Sequence, residues 1–481
     1  MREMGVESMV ANVEEVVSAD GAQSRSFDRR AFLKGSAIGM AGMMPLASLV
    51  GCAPKGSEAS LSETSGEEPS AANQAFAAGG VEDSMSLEEL NALRHAFVDS
   101  QTAYTCEDGS VVPEVYVKLR ALFNTYGWGM GMAVNDHAFD EFVYLFSEDE
   151  AQAYLEMPFG VEFTATDFSL ESGRDEAACL ALCEDLAKRG TLYRVRRGGV
   201  SFFHHLAMAY GLWEFQILGA GDTPEYREAH SYVFTEDAPQ NKMGTGTPFY
   251  YSIPVGKEVL ADDEPGLYPY DDIEKILENN TVFAVGPCQC QALDLAGIPL
   301  DPMPEIERCV AFGATAQYVI DGGYGREITR DEAREILQKC KEAGYVYQHT
   351  WTKEPEIMCN CPRDVCGILT TYEALGDQLA DFNTCVNVSH YTLEHDKDAC
   401  IKCGKCMDRC PVRCISMDDE GLPARLMSCV RCGQCALVCP QDARKLRLAN
   451  PDSVEPLAKN LLDDYNKKAA FRFANDMIPV K

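Results

Sequence analysis

The sequence predicts an α+β protein built of several domains, and three observations carry that prediction. Helix signatures between residues 86 and 189 close on an alternating hairpin. Residues 250–395 interleave helical and strand signals around spaced Cys-x-Cys pairs. Residues 400–440 then write one cysteine spacing twice. A chain of 481 residues has room for several domains at roughly 100–200 residues each.

Taken in order, residues 1–51 read as a targeting segment to be set aside before fold reasoning. Asp28-Arg29-Arg30-Ala31-Phe32-Leu33-Lys34 resembles a twin-arginine export signal. The uncharged stretch Gly35–Val50 carries Gly35, Gly39, Gly42 and Pro45, and is shorter than the roughly 20 apolar residues that span a bilayer. It ends Leu49-Val50-Gly51-Cys52, which resembles a lipobox whose cysteine, Cys52, is lipidated. Residues 52–85 then form a tether rich in Ala, Ser, Glu and Gly, with a reach of roughly 30 Å at about 5–6 Å × √n.

Residues 86–249 are expected to form a helical, winged-helix-like domain. Ser86-Leu87-Glu88-Glu89 and Ser147-Glu148-Asp149-Glu150 are capping boxes, in which a serine and a glutamate satisfy each other's backbone donors. Helices are expected over Pro113–Tyr126 and Asp175–Arg189, and Gly198-Gly199 turns a hairpin within Gly190–Phe203. A basic-tipped hairpin after helices suggests DNA binding, but the export signal and a net charge of −33 exclude nucleic acid, whose phosphates demand the opposite sign. A docking scaffold remains.

Residues 250–395 form the mixed α/β, cysteine-rich domain. A helix over Tyr270–Asn279 precedes a strand at Thr281–Val285, which leads into Pro287-Cys288-Gln289-Cys290. Thr329-Arg330-Asp331-Glu332 caps a helix that ends at Gly344, before a strand at Tyr345–Tyr347. Residues 396–449 form the repeated-cysteine module, with a turn at Asp418–Gly421 between its halves, and residues 450–481 a final helix near Val454–Phe473 that packs back on the body.

Cys400-x2-Cys403-x2-Cys406-x3-Cys410-Pro411 is followed by Cys429-x2-Cys432-x2-Cys435-x3-Cys439-Pro440. This is the spacing of a bacterial two-cluster ferredoxin, in which three close thiolates wrap one [4Fe–4S] cubane and the fourth crosses to the other. It assigns Cys400, Cys403, Cys406 and Cys439 to cluster one, and Cys429, Cys432, Cys435 and Cys410 to cluster two. Zinc ribbons space two Cys-x2-Cys pairs a dozen or more residues apart and lack the third close cysteine.

A second constellation comprises Cys288, Cys290, Cys309, Cys359, Cys361 and Cys366, its Cys-x-Cys pairs placed in loops beside strands. Three readings stay open. One is a third cluster on Cys288, Cys290, Cys309 and Cys361, with Cys359 or Cys366 as substitutes. The others are structural zinc and disulfides, which an oxidising exterior permits. Cys106, Cys179, Cys183, Cys340, Cys385 and Cys414 are expected to be packed thiols. Of His204-His205, adjacent on a strand, one is expected buried and one exposed. Gly127–Gly131 is expected to be a tight bend.

Several further motifs share one order: Phe202-Phe203-His204-His205-Leu206, Gly211-Leu212-Trp213-Glu214, Pro287-Cys288-Gln289-Cys290, Cys309, Gly325-Arg326-Glu327-Ile328-Thr329-Arg330-Asp331-Glu332-Ala333, Gly344–Tyr347 and Cys359-Asn360-Cys361. In these, over residues 110–447, the chain resembles ferredoxin-fused 4Fe–4S binding proteins of anaerobic bacteria. The resemblance implies a winged-helix-like region, a cysteine-rich region, a C-terminal ferredoxin and redox work. Gln291 stands where that family has arginine, Pro362 where it has a last cysteine, and His349 two residues beyond the family position.

No haem attachment, dinucleotide fingerprint, Walker A loop, nucleophile elbow or His-Glu-x-x-His motif occurs. The sequence therefore describes an iron–sulfur electron relay anchored outside the cytoplasmic membrane, exchanging single electrons with a partner oxidoreductase or quinol-linked donor. Easily oxidised cubanes point to an anaerobic source. The alternatives are a terminal reductase with its own active site within residues 287–366, and a cluster-based redox sensor.

Overall fold

The helix caps written in the sequence are made. Ser86 Oγ accepts from the Glu89 N–H at 3.2 Å while Glu89 accepts from the Ser86 N–H at 2.8 Å, which opens α1 (Leu87–Asp99). A small hairpin, β1 (Tyr104–Thr105) and β2 (Val111–Val112), leads into α2 (Glu114–Asn124) and α3 (Asp140–Leu145). Ser147 and Glu150 repeat the capping box at α4 (Glu148–Leu155). Next come α5 (Ala165–Ser172) and α6 (Glu176–Lys188), the latter capped by Asp175. β3 (Tyr193–Arg197) and β4 (Val200–His204) then pair antiparallel through Gly198 and Gly199, at φ +58° and +81°. Two successive positive φ values are what a two-residue hairpin needs and what glycine supplies without strain.

The computed structural model describes residues 85–127, 134–217, 223–235, 250–292, 306–362, 366, 369, 387–425, 429–449, 457–475 and 478. The export signal, Cys52, the tether up to residue 84, most of the Gly127–Gly131 run and Cys385 lie outside them. Among the described residues, no helix is long and apolar enough to cross a membrane.

After α7 (Leu212–Ile217) and α8 (Pro224–Thr235), the chain builds a seven-stranded sheet. Its strands are β5 (Tyr250–Ile253), β6 (Phe283–Gly286), β7 (Cys309–Phe312), β8 (Arg326–Ile328), β9 (Val346–Thr350), β10 (Ile357–Cys361) and β11 (Asn387–Val388). They lie in the order β11-β5-β9-β10-β7-β6-β8. All neighbours are antiparallel except β11 and β5. The connections carry α9 (Ile273–Asn279), α10 (Gln289–Ala292), α11 (Gly313–Gly322) and α12 (Arg330–Ala343). The strand period of two divides the sheet between two cores. Tyr250, Ala284, Ala311 and Ile357 join the helical region, whereas Tyr251, Val285, Val310 and Met358 pack with Ile336 and Leu337 of α12.

The C-terminal module has its own strands. β12 (Tyr391–His395) pairs along its whole length with β15 (Arg444–Leu448). Between them come α13 (Lys405–Arg409), the hairpin β13 (Ile415–Met417) and β14 (Pro423–Arg425), and α14 (Gln434–Leu437). Three expectations change. The module's first strand begins at Tyr391, inside the stretch assigned to the preceding domain, because β15 needs that partner to complete its ladder. The final helix, α15 (Leu461–Ala474), starts at its Asn460 cap, since Ala458 is held extended beside Thr352. It packs back as expected, with Tyr465 donating to the Tyr210 carbonyl and Asn466 Nδ2 to the Gly160 carbonyl at 2.9 Å. Finally, His204 and His205 are both buried, because the chain leaves the strand after His204. Nδ1 of His204 bonds the His205 carbonyl at 2.8 Å, and Nε2 of His205 bonds the Tyr154 carbonyl at 3.0 Å.

Candidate metal centres

The first repeat bends through Lys402 and Gly404, at φ +60° and +76°, so that three cysteines of one short loop border one cavity. Cys400, Cys403 and Cys406 line this small cavity together with Cys439, which arrives from the second repeat. These are the four residues that the crossed spacing assigns to cluster one. Arg444, also on the lining, is buried beside Cys406 and Cys435. Its Nη2 donates to the Pro423 carbonyl at 2.8 Å, while Nε and Nη1 find no acceptor. Buried guanidinium donors without an acceptor, set among thiols, suit an anionic cluster that accepts hydrogen bonds at its sulfurs.

The other four thiols also share one neighbourhood. Burial pushes Cys432 up, and Cys435 up to about 12, with Cys410 and Cys429 adding their charge to both. A fifth sulfur enters here. Cys414 Sγ lies 3.6 Å from Cys410 Sγ and also against Cys429. Its thiol hydrogen holds Cys410 down at about 7 and Cys429 at about 5. Cys414 is packed, as expected, but against two candidate ligands.

The six remaining candidate thiols converge at one end of the large sheet. Cys359 and Cys361 lie on β10 itself, not in a loop, so the strand period of two turns both to one face. Cys309 stands directly opposite Cys359 across β7 and β10, and opposite Gly286 across β7 and β6, two residues before Cys288. Cys309 touches Cys288 and Cys359, and Cys361 touches Cys359 and Cys366. Cys290 lies within electrostatic reach of Cys366. Cys361, to which Cys359 and Cys366 both donate, is held well below an ordinary thiol. Cys309, Cys359 and Cys366 are pushed up, first by Cys288, Cys309 and Cys361 respectively. The contacts are pairwise, and among the described residues no group of three or more histidine, cysteine or carboxylate side chains is already drawn in to metal-binding distance, here or in the tandem repeats. No disulfide joins the described cysteines.

Two protonatable groups border this pocket that the cysteine pattern did not reveal. Tyr250, pushed well up by burial, has its hydroxyl against Cys359. Glu214, fully buried, is raised to about 8 by desolvation although Oε2 accepts from the Gly211 N–H at 2.6 Å. Gly211-Leu212-Trp213-Glu214 stood out as a motif, but its role needed the fold, because α7 packs against α10, the helix that carries Cys290.

Residues 399–443 match the family model of a 4Fe-4S dicluster domain. The C-terminal module is a ferredoxin-type 4Fe–4S dicluster domain. No curated protein and no solved structure matches the chain. The dicluster domain places iron–sulfur clusters in this protein and gives it an electron-transfer role.

In the loaded dicluster domain, Cys414→Ala is expected to lower the potential of the nearer cluster by roughly 20–60 mV. That is the one-electron equivalent of losing one neutral hydrogen bond of about 0.5–1.5 kcal/mol to a ligand sulfur. A redox titration followed by EPR reads the shift, with the iron count unchanged.

Proposed function

We propose that this protein is an extracytoplasmic, membrane-anchored electron carrier that relays single electrons to or from a partner oxidoreductase. The observation that carries it is the crossed ligand set, in which Cys439 of one repeat joins Cys400, Cys403 and Cys406 of the other around one cavity. One-electron exchange is the chemistry that such clusters supply when bound. Cys400, Cys403, Cys406 and Cys439 hold one cubane, and Cys410, Cys429, Cys432 and Cys435 the other. Arg444 offsets their negative charge from between the two sets, and Cys414 donates to the second.

The six thiols supply the donors that a third iron–sulfur centre takes. Its donors are all sulfur, the soft set that selects iron–sulfur clusters or zinc over hard cations. The helices and hairpin of residues 86–235 serve as a scaffold of winged-helix type. Arg29-Arg30 and Cys52 supply export and a lipid anchor outside the membrane, and the twin-arginine route, which carries folded cargo, suits a protein loaded with clusters before it crosses.

Anaerobic fractionation with iron and acid-labile sulfide counting tests this reading. About twelve irons per chain in the membrane fraction are expected. About eight would remove the third centre, iron-free protein would overturn electron transfer, and wholly soluble protein would overturn the anchor.

One observation favours a second reading, a terminal reductase acting at the six-thiol pocket. Tyr250 and Glu214 could supply protons there, since burial pushes the Tyr250 hydroxyl well up and the Glu214 carboxyl up to about 8. Turnover of a small-molecule acceptor by dithionite-reduced protein, with no second protein present, would decide for it.

A further inference from the structure

The two repeats of the dicluster domain are alike in sequence and unlike in surroundings. The first faces solvent. Cys403 is exposed, and its neighbours Ile401 and Met407 are 58% and 39% exposed. The second is covered, with Cys429, Cys432 and Cys435 all buried. The cover is the rest of the chain: the Val255 N–H donates to the Cys432 carbonyl at 3.0 Å.

Two side chains lock this contact. Gln434, fully buried, donates its amide to the Tyr345 carbonyl at 2.8 Å and the Lys341 carbonyl at 3.2 Å. Arg409 donates Nε to Gln434 Oε1 at 2.9 Å, and Nη2 to the Lys341 and Glu342 carbonyls at 2.8 and 2.9 Å. These carbonyls belong to the last turn of α12 and the residues after it, where an α-helix lacks its own donors; the Lys341 carbonyl also accepts from the Gly344 N–H at 3.1 Å. The clamp therefore caps α12 while it seats the second repeat.

The seat is the cysteine end of the large sheet. β9 begins at Val346, next to the clamped Tyr345, and Val346 pairs with Cys361. Ile253, two residues before Val255, pairs with Tyr347. Facing residues on antiparallel strands stand about 5 Å apart, so Cys361 lies one strand spacing from the residue next to the clamped Tyr345.

Resting on the electron-carrier reading, we propose that the six-thiol pocket is the inner end of the electron path. The second repeat is its neighbour, loop 400–407 is the end that meets an external one-electron partner, and Arg409 and Gln434 are the positioning residues. A donor oxidised by one electron at loop 400–407 thereby reduces the pocket's centre by one, with no atom transferred.

EPR of the dithionite-reduced full chain with chromium(III) oxalate, a soluble relaxation agent, tests this. The agent is expected to shorten the relaxation of the signal that Cys403→Ser removes and to spare the signal that Cys432→Ser removes. In the Cys403→Ser variant, where coupling to the outer cubane is gone, the spared signal is expected to show spin–spin splitting with the pocket's centre, and the substitutions that follow are made in that background. Arg409→Ala combined with Gln434→Ala is expected to abolish that splitting and admit the agent to the spared cluster, at an unchanged iron count. Should that variant lose iron, Arg409→Lys, which keeps the charge but gives up the forked contact, is read the same way. Equal action of the agent on both clusters in the unaltered protein, or splitting that survives in the variants, would overturn the inference. A count of about eight irons would overturn the third centre instead, while the agent's preference still decided which repeat faces out.

Discussion

Cys403→Ser is expected to remove or convert one cubane, lowering the iron count by about four per chain, or by about one if a three-iron cluster survives. Serine offers a hard, weakly acidic oxygen where the cluster takes a soft thiolate. Cys403 is the exposed member of its ligand set, so the substitution itself disturbs little packing, and circular dichroism of the variant separates cluster loss from unfolding. Iron analysis and low-temperature EPR on anaerobic protein measure the loss. An unchanged spectrum would contradict the assignment of Cys403.

The second large effect comes from a pair of glycines at matching positions of the repeat. Gly404 and Gly433 both have left-handed backbones, at φ +76° and +82°, where an alanine costs roughly 1–2 kcal/mol. Around Gly404 a new Cβ meets nothing within 4 Å. Around Gly433 it meets Val259 Cγ2 at 2.7 Å, Val259 Cβ at 3.1 Å and Leu446 Cδ1 at 3.2 Å. Overpacking of that kind adds roughly 1–3 kcal/mol. Gly404→Ala is thus expected to cost about 1–2 kcal/mol, and Gly433→Ala roughly 2–5 kcal/mol, with the cluster-two signal lost first. Anaerobic denaturant melts followed by EPR distinguish them. Equal losses would mean that the second repeat is not seated on residues 255–260.

Much of the local structure was legible because its causes are local. A capping box needs only a serine and a glutamate three residues on, so the starts of α1 and α4 could be read directly. Gly198-Gly199 announced its hairpin for the same reason. Expectations slipped where the deciding partner lay far along the chain. The start of α15 depends on Thr352 holding Ala458 extended, and Tyr391 joins the dicluster domain because β15, more than fifty residues later, needs it. The burial of both histidines rests on the Tyr154 carbonyl that receives His205.

The candidate sites divide in the same way. The tandem spacing named eight thiols, since cubane ligation constrains neighbours within a few residues. Cys414 drew no notice as a contact of Cys410 and Cys429, because the proximity that matters is made by folding the two repeats together. At the six thiols the sequence supplied the cysteines, while nothing local signalled that Tyr250 lies against Cys359 or that Glu214 is buried near Tyr250.

By itself the sequence determined the chemistry of this protein: soft sulfur donors at cubane spacing, behind an arginine pair and a lone cysteine. The tertiary structure alone decided which repeat is covered. Two repeats of the same pattern differ in what covers them, and burial depends on residues far away along the chain. Val255, Val259 and Tyr345 turn one repeat inward toward Cys361, and leave Ile401 and Met407 of the other at the surface.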